Sequence, residues 1–221
     1  MIEINKIYHD DCMNILKQLP DKSIDLVLTD PPYGIGYDVM CEKNNGKLFG
    51  TAKTIRNTYR ATNWDNATPT KEYFDEMIRV SKKQIIFGGN FFADVLPNSR
   101  CWLVWDKHIN GAWADCELAW TSFDKPIKKY DFLWNGMLQQ NMSNKETRIH
   151  PTQKPAGLFE MILQDYSKEN DLVLDCFSGS GTTAIACSEL KRNFICVEKD
   201  KQYWEMSVKR LEEYNKQLKL F

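Results

Sequence analysis

The chain has 221 residues, of which 43% are hydrophobic and 27% are charged, and its formal net charge is -1. This length suits one well-buried domain and is short for two, while the composition is that of an ordinary folded protein and excludes a disordered chain. A uniformly basic surface is excluded as well, although basic residues that cluster locally leave a nucleic-acid partner open.

Short apolar runs alternate with helix-like stretches along the chain. In chain order we predict a helix at 11–19, a strand at 24–28, a helix at 70–81, strands at 83–89 and 100–106, a helix at 157–167, a strand at 171–175, a helix at 182–191, a strand at 193–198 and a packed terminal helix at 201–220. Continuously apolar strands are typical of parallel strands buried on both faces. The pattern therefore predicts an α/β fold, with a mostly parallel sheet and helices on both faces.

Two regions interrupt this alternation. Residues 39–63 are rich in Gly, Asn and Thr and contain a single acid, Glu42. The basic residues of this region are Lys43, Lys47, Lys53, Arg56 and Arg60. Residues 106–148 contain several tryptophans but little periodicity. We interpret both regions as loop-rich insertions on a single domain that spans residues 1–221.

The seven cysteines are scattered along the chain. They form no C-x-x-C pair and no Cys/His spacing typical of zinc, so we expect reduced, mostly buried thiols and no metal site. The first residues lack a basic leader followed by an apolar stretch, and no apolar run is long enough to span a bilayer. These features together predict a cytoplasmic protein without a membrane anchor.

A glycine loop follows the predicted strand 171–175. The chain turns through Gly179 and Gly181, a helix begins near Thr182, and the next strand ends in Glu198. Glycines allow a ligand to approach the helix N-terminus, and an acid at the end of the second strand can accept hydrogen bonds from ribose hydroxyls. The glycine pattern extends to G-x-G-x-x-A at Ala184, so a nicotinamide-dependent oxidoreductase is one candidate. An ordinary turn between strand and helix is another.

Two features favour S-adenosylmethionine over a dinucleotide. Only about forty residues follow the loop, which is fewer than a dinucleotide-binding fold needs for its remaining strands. The carboxylate of Asp175 would repel a pyrophosphate but attract a ligand that carries an ammonium and a sulfonium. The hydroxyls and amides of Ser178, Ser180, Thr182 and Thr183 are suited to the carboxylate of the same ligand.

The segment Asp30-Pro31-Pro32-Tyr33 directly follows the predicted strand 24–28. If that strand is next to strand 171–175, Asp30 and Asp175 emerge at adjacent strand ends, where open α/β sheets bind ligands. Two prolines fix the backbone, so the Asp30 side chain and the Pro31 carbonyl become rigid acceptors, and Tyr33 presents an aromatic face. Such a group suits the exocyclic amino group of a base.

Three motifs then identify a family resemblance. The segments "DPPY" (30–33), "HPTQKP" (150–155) and "FSGSG" (177–181) resemble motifs of the amino-methylating DNA methyltransferases, in the order of the permuted class called beta. Residues 7–33 are similar to the usual opening of that family. The resemblance implies a Rossmann-like methyltransferase fold, S-adenosylmethionine as cofactor, DNA as partner and methylation of adenine N6. Cytosine N4 is the alternative target, although cytosine enzymes more often have Ser where Asp30 stands.

The resemblance also implies roles for individual residues. It assigns catalysis to Asp30, Pro31, Pro32 and Tyr33. It places Asp11 and Cys12 at the adenine of the cofactor and Glu198 at its ribose. The residues implied around the remainder of the cofactor are Asp30, His150, Thr152, Asp175, Phe177, Ser178, Gly179, Ser180, Gly181, Thr182 and Thr183. His9 departs from the family's glycine, which leaves Asp10 and Asp11 as alternatives for one position.

The same resemblance suggests roles for the remaining segments. Lys154 and Pro155 suit a contact role and a purely structural turn equally well. The basic residues between Lys43 and Arg60 are candidates for phosphate contacts, and residues 106–148 are candidates for reading base edges. Solvated surface loops are the alternative for both regions. Because little chain is available for target recognition, self-association as a homodimer is a further expectation.

Overall fold

The computed structural model describes residues 2–43, 64–108, 114–135 and 138–218. The strands in these ranges are β1 (Lys6–His9), β2 (Ile24–Thr29), β3 (Ser81–Phe87), β4 (Trp102–Asp106), β5 (Cys116–Thr121), β6 (Lys128–Asp131), β7 (Trp134–Asn135), β8 (Leu138–Gln139), β9 (Leu172–Asp175) and β10 (Asn193–Glu198). The α-helices are α1 (Cys12–Leu16), α2 (Tyr37–Lys43), α3 (Lys71–Val80), α4 (Ala156–Tyr166), α5 (Thr182–Glu189) and α6 (Lys201–Leu218). A 3₁₀ turn spans Gly89–Phe91.

Eight strands form one sheet in the order β1-β10-β9-β2-β3-β5-β4-β6, while β7 and β8 form a separate pair. The five strands from β1 to β3 in this order are mutually parallel. Strand β5 is antiparallel to both of its neighbours, β3 and β4. The edge strand β6 is parallel to β4. The sheet is therefore mostly parallel, which confirms the predicted fold class.

Helices cover both faces of the sheet because alternate strand residues point to opposite sides. Leu26 and Leu28 of β2 belong to a core that contains residues of α4 and α5. Val27 of the same strand belongs to a second core, which contains residues of α1 and α3. Burial on both faces explains why these strands are continuously apolar in sequence.

The terminal helix α6 packs against the first of these cores, as predicted. Trp204, Val208 and Leu211 contact it, and the indole Nε1 of Trp204 donates to the carbonyl of Ile7 at 3.0 Å. The helix therefore lies beside β1, at the edge of the sheet. Among the described residues, none of the helices combines the length and the apolar character needed to cross a membrane.

The two regions interpreted as insertions contain more regular structure than predicted. Strands β5 and β6 lie within 106–148, and β5 occupies an interior position of the sheet. Its sequence hides this position, because Glu117 interrupts the apolar run with a charge. The first residues of 39–63 belong to α2, and most of that region lies outside the described residues. Strand β1 was also missed, since Ile7 is its only buried residue.

Candidate functional site

The site lies where β2 and β9 end side by side. These strands are parallel neighbours, with Val27 opposite Leu174, so the residues that follow them emerge at the same edge. A cavity of about 510 Å³ opens there, and both Asp30 and Asp175 line it. This volume lies within the usual range of small-molecule sites. The structure thus brings together the two carboxylates that the sequence placed at adjacent strand ends.

The Asp175 carboxylate organises the glycine loop. Its Oδ1 accepts hydrogen bonds from the Thr29 hydroxyl at 2.7 Å and the Phe177 amide at 3.1 Å, and its Oδ2 accepts one from the Thr183 hydroxyl at 2.5 Å. Burial raises the pKa of Asp175 to about 6, because the desolvation of the carboxylate outweighs these hydrogen bonds. A ligand with positive charge would relieve this cost.

The loop itself is shaped by two glycines. Gly179 and Gly181 have φ values of +50° and +74°, in the left-handed region that residues with a Cβ rarely adopt. The Gly179 amide donates to Glu198 Oε2 at 2.8 Å, and the Asp200 amide donates to Oε1 at 2.7 Å. Burial raises the pKa of Glu198 to about 7. A second carboxylate of raised pKa therefore lies at the cavity, at the end of β10.

Two buried polar atoms at the cavity have no hydrogen-bond partner within the described part of the chain. They are Ser178 Oγ and Trp64 Nε1, and both residues line the cavity. A buried donor without a partner is costly, and a bound polar ligand can satisfy it. With the two carboxylates, these atoms fit a ligand that carries both cationic and anionic groups.

His150 forms another wall of the cavity. The centroid of its ring lies 4.2 Å from that of the Tyr203 ring, and its Nδ1 accepts a hydrogen bond from the Thr152 amide at 3.3 Å. Burial, followed by the charges of Lys154 and Arg148, lowers the pKa of His150 to about 3. The imidazole is therefore neutral at physiological pH and does not repel a cationic ligand.

A further part of the cavity lining comes from the start of α1. Asp11 caps this helix, its Oδ1 accepting the Met13 amide and the Tyr73 hydroxyl, each at 3.0 Å. Its Oδ2 lies 2.8 Å from Lys199 Nζ. Asp10 and the buried Cys12 belong to the same part of the lining. Both aspartates that the sequence left as alternatives therefore reach the cavity.

The segment 30–33 reaches the cavity through Asp30 and Pro32. Pro31 is buried, and the Tyr33 hydroxyl donates to Asp30 Oδ1 at 2.6 Å. The Tyr33 ring stacks on Phe91, with 4.6 Å between centroids. A Cβ at Gly88 would lie 2.1 Å from the Tyr33 ring, so only glycine permits this approach.

The second oxygen of Asp30 is held by a lysine. Lys154 Nζ lies 2.5 Å from Asp30 Oδ2 and 3.0 Å from Glu117 Oε2. The Lys154 backbone carbonyl accepts the Thr182 hydroxyl at 2.9 Å. Lys154, for which sequence analysis left a contact role and a structural turn open, therefore contacts both the 30–33 segment and the glycine loop.

The remaining predicted residues are less directly exposed to the cavity or lie elsewhere. Ser180 and Thr182 line it, but the Thr182 hydroxyl is committed to Lys154, and Arg210 Nη1 donates to the Ser180 carbonyl at 3.0 Å. Lys43 is exposed in the last turn of α2. The other predicted phosphate contacts, Lys47, Lys53, Arg56 and Arg60, lie outside the described residues.

Sequence analysis missed several residues that build the site. Asp65 accepts the amides of Gly34 and Tyr37 at 2.8 and 2.9 Å and so fixes the loop after Tyr33. Trp64 and Tyr73 line the cavity. They precede or lie within α3 and carry no motif, so no local pattern marks them.

One group of His and carboxylate side chains in the described ranges lies close enough to share a cation: Asp106, His108 and Asp131. Lys129 Nζ is 2.9 Å from Asp106 Oδ2 and 2.9 Å from Asp131 Oδ1, so both carboxylates already have a cationic partner. The expected absence of a metal site stays a prediction.

Comparisons with known proteins agree on one enzyme class. A family model described as a DNA methylase matches residues 102–209, a little under half of the chain. The Type II methyltransferase M.HpaI of Haemophilus parainfluenzae is 29% identical over 247 residues, which cover 93% of this chain and 74% of the relative.

Two solved structures show the fold. The crystal structure of an M1.HpyAVI–SAM complex superimposes with a TM-score of 0.57 at 25% identity, covering 93% of this chain and 99% of that one. The PvuII DNA methyltransferase, described as cytosine-N4-specific, gives a TM-score of 0.60 at 16% identity, covering 96% of this chain and 91% of that one. The chain thus has the Rossmann-like methyltransferase fold.

Proposed function

We propose that this chain is an S-adenosylmethionine-dependent DNA methyltransferase of the beta class that methylates the N6 amino group of adenine. The observation that carries the proposal is the cavity shared by Asp30 and Asp175, which joins the catalytic segment to the glycine loop. The family match, the M.HpaI relative and the methyltransferase fold support the broader class, a DNA methyltransferase that uses this cofactor.

The order of elements supports the permuted class. In the sheet, β9 and β2 are neighbours, yet β2 and its catalytic segment come first in the chain. The first strand, β1, pairs in parallel with the last strand, β10, from Lys6 opposite Ile195 to His9 opposite Glu198. Elements far apart in the chain are therefore adjacent in space, as circular permutation requires.

The cavity residues suit the cofactor at three points. Asp175 and Glu198, whose pKa values burial raises, offer carboxylates to its cationic groups and ribose hydroxyls. Ser178 Oγ and Trp64 Nε1 offer unpaired polar atoms. The Asp11 and Cys12 wall offers a surface for its adenine. When bound, the cofactor supplies an electrophilic methyl group.

Asp30 and Pro31 then act on the target amino group. The amino nitrogen of adenine is a poor nucleophile because its lone pair is delocalised into the ring. Hydrogen bonds to the Asp30 carboxylate and the Pro31 carbonyl favour a tetrahedral nitrogen, whose lone pair can attack the methyl carbon. The N–C bond forms as the S–C bond breaks, and the nitrogen loses a proton to solvent, so no covalent enzyme intermediate is needed.

The target base must leave the duplex to reach Asp30. Tyr33 lies three residues from Asp30, with its hydroxyl on the carboxylate, and we expect the extruded base to stack against its ring. Phe91, whose exposed ring stacks on that of Tyr33, extends this aromatic surface. DNA contacts from Lys43 to Arg60, homodimer formation and a cytoplasmic location complete the proposal.

Cytosine N4 is the second candidate target. The fold resemblance to the PvuII enzyme keeps it in view, since that enzyme is described as cytosine-N4-specific. The aspartate at position 30 favours adenine, because the resemblance associates serine at this position with cytosine enzymes.

Nucleoside analysis tests the proposal directly. Unmethylated DNA is incubated with the purified chain and S-adenosylmethionine, digested to nucleosides and analysed by mass spectrometry. We expect N6-methyldeoxyadenosine. N4-methyldeoxycytidine alone would replace adenine by cytosine as target, and the absence of both would refute the enzyme class. Calorimetry with S-adenosylmethionine and with a nicotinamide dinucleotide separates the methyltransferase from the oxidoreductase alternative.

A further inference from the structure

A row of alternating charges leads to Asp30. Lys107 Nζ contacts Glu117 Oε1, Glu117 Oε2 lies 3.0 Å from Lys154 Nζ, and Lys154 Nζ lies 2.5 Å from Asp30 Oδ2. The side chain of Lys154 is only 7% exposed, and those of Asp30 and Glu117 are 17% and 22% exposed. Lys107 is 16% exposed, so Lys154 is the most buried member of the row.

Different parts of the fold supply these charges. Asp30 follows β2, Lys107 follows β4, Glu117 is the second residue of β5, and Lys154 precedes α4. Because β5 is antiparallel to β3, its first residues lie at the edge where the parallel strands end. Because β5 runs in the reverse direction, the Glu117 carboxylate lies at the cavity edge of the sheet. In a parallel strand, the second residue would lie at the far edge.

Stability alone does not explain such a row. Burial of an ion pair commonly costs as much as the pair returns, and apolar residues of similar volume are often at least as stabilising. Lys154 Nζ also lies 5.8 Å from the Tyr33 ring centroid and 5.3 Å from that of Phe87, so two aromatic rings border the buried ion pairs. A functional requirement for an ionised Asp30 accounts for the buried charges of Lys154 and Glu117.

We propose that Lys154 is a positioning residue, which holds the Asp30 carboxylate ionised and oriented toward the target amino group, and that Glu117 fixes Lys154 for this task. The inference rests on the proposed function, because it assumes that Asp30 accepts a hydrogen bond from that amino group. Lys154 occupies Oδ2, while Oδ1, which the Tyr33 hydroxyl contacts, keeps a second lone pair for the substrate.

The charges around Asp30 oppose each other. Burial raises the pKa of Asp30 above its usual value, and the Glu117 charge adds to this increase, while the Lys154 charge opposes it without cancelling it. Burial also raises the pKa of Asp175 and of Tyr33, and the Asp30 charge adds to both increases. Loss of the Lys154 cation would leave Asp30 facing Glu117 and Asp175. A protonated Asp30 would then be favoured, and its hydroxyl oxygen is a poor acceptor.

Carbon NMR tests the inference without cofactor or DNA. The protein is labelled at the aspartate carboxyl carbons, and Asp30→Asn identifies the Asp30 resonance. In Lys154→Met we expect the titration midpoint of Asp30 to move to higher pH. Lys154→Arg, which keeps the cation, is expected to restore most of the wild-type midpoint. Lys82→Met is the matched control, since Lys82 pairs with Asp25 at 2.6 Å on the surface.

Single-turnover methylation across pH provides the second readout. Lys154→Met is expected to lower the rate by about 10²-fold, the scale of losing one preorganised electrostatic group, and to shift the acid limb to higher pH. Glu117→Gln should lower the rate, because Lys154 loses one of its partners. It should not shift the acid limb to higher pH, because it removes a negative charge that raises the pKa of Asp30. Circular dichroism shows whether each variant is folded. If Lys154→Met does not fold, the rates and pH profiles of Lys154→Arg and Glu117→Gln test the inference instead.

The outcomes separate the two proposals. An unshifted Asp30 midpoint in folded Lys154→Met, or an acid limb that stays in place, overturns the positioning role. If wild-type protein methylates no DNA, the proposed function fails, while the NMR midpoints still decide whether Lys154 controls the ionisation of Asp30.

Discussion

The two carboxylates of the cavity are held in opposite ways. Asp175 is held by neutral donors, namely the hydroxyls of Thr29 and Thr183 and the Phe177 amide. Asp30 is held by the charged Lys154 and by the Tyr33 hydroxyl. Neutral donors leave a buried carboxylate ready for a cationic ligand, whereas a fixed cation suits a carboxylate that must accept a hydrogen bond from a neutral amino group.

This contrast supports the proposed roles, with cofactor binding at the Asp175 end and catalysis at the Asp30 end, where each end means the groups that contact that carboxylate. Asp175 lacks a cationic partner in the described part of the chain, and burial raises its pKa to about 6. A charged ligand can therefore gain free energy there. The Asp30 end already has its counter-charge, so a further cation would gain less. The division agrees with a cationic methyl donor and a neutral base as the two ligands.

The largest expected effect comes from Asp30→Asn. The amide keeps the size of the side chain but loses the charge that Lys154 faces, so we expect methylation to fall by about 10³-fold, with cofactor affinity almost unchanged. Single-turnover rates and calorimetry measure the two quantities. A variant that loses cofactor affinity and keeps its rate would reverse the division between the two ends.

The same contrast explains what the sequence could predict. The Asp175 end is mostly local, because Phe177, Gly179 and Thr183 lie within one motif. Its position beside β2 was a condition of the sequence argument, and the structure meets it. The Asp30 end depends on Lys154 and Glu117, which come into contact because β5 is antiparallel to β3. Glu117 is the residue that obscured β5 as a strand, since a buried charge with distant partners looks like a solvated loop in sequence.

The described structure also shows why the cavity wall was only partly predicted. Asp11 and Cys12 belong to a recognisable opening segment, whereas Trp64, Asp65 and Tyr73 occupy a connection and a helix without a motif. Their contacts, such as Asp65 on the Gly34 amide, join segments that composition does not link. Fold class follows from hydrophobic periodicity, but such long-range polar contacts require coordinates.

Asp175→Asn should give the next largest effect. The ammonium and sulfonium of the ligand lose a charged partner, so we expect S-adenosylmethionine affinity to fall by about 30-fold, equivalent to about 2 kcal/mol. The free protein should stay folded, because the variant also removes the cost of burying a charge. Calorimetry measures affinity, and thermal unfolding provides the control. The product S-adenosylhomocysteine keeps the ammonium but lacks the sulfonium, so an equal loss for both ligands would assign the effect to the ammonium. Unchanged affinity for both ligands would argue against a charge effect.

The pH dependence of binding sharpens the comparison further. Burial raises the pKa of Glu198 to about 7 and that of Asp175 to about 6, and a cationic ligand prefers both groups ionised. Affinity for S-adenosylmethionine should thus decrease as pH falls through 7 and then 6. For each carboxyl group, the decrease is about tenfold for every unit by which ligand binding lowers its pKa. Calorimetry from pH 8 to 5.5 measures it, and Glu198→Gln should remove the upper step.

Stability of the free protein should respond with the opposite sign. The ordinary pKa of a glutamate is 4.5, so the raised value means that protonation of Glu198 favours the folded state. Its contribution to stability grows as pH falls from about 7 and is complete below 4.5. Thermal unfolding of wild type and Glu198→Gln over this range isolates the contribution. A larger stability advantage of wild type at high pH would contradict the sign.

The smallest expected effect belongs to Ser178→Ala. Ser178 Oγ is buried without a partner in the described residues, so its removal should leave the free protein as stable as before or slightly more stable. If this hydroxyl bonds to the cofactor, S-adenosylmethionine affinity should fall by about fivefold, the effect of one neutral hydrogen bond of about 1 kcal/mol. Ser188→Ala is the matched control, because that hydroxyl already donates to the Ala184 carbonyl at 2.8 Å within α5. A Ser178 variant that loses stability and keeps its affinity would show that the hydroxyl serves the fold, and the glycine loop would then bind the cofactor through its carboxylates and backbone alone.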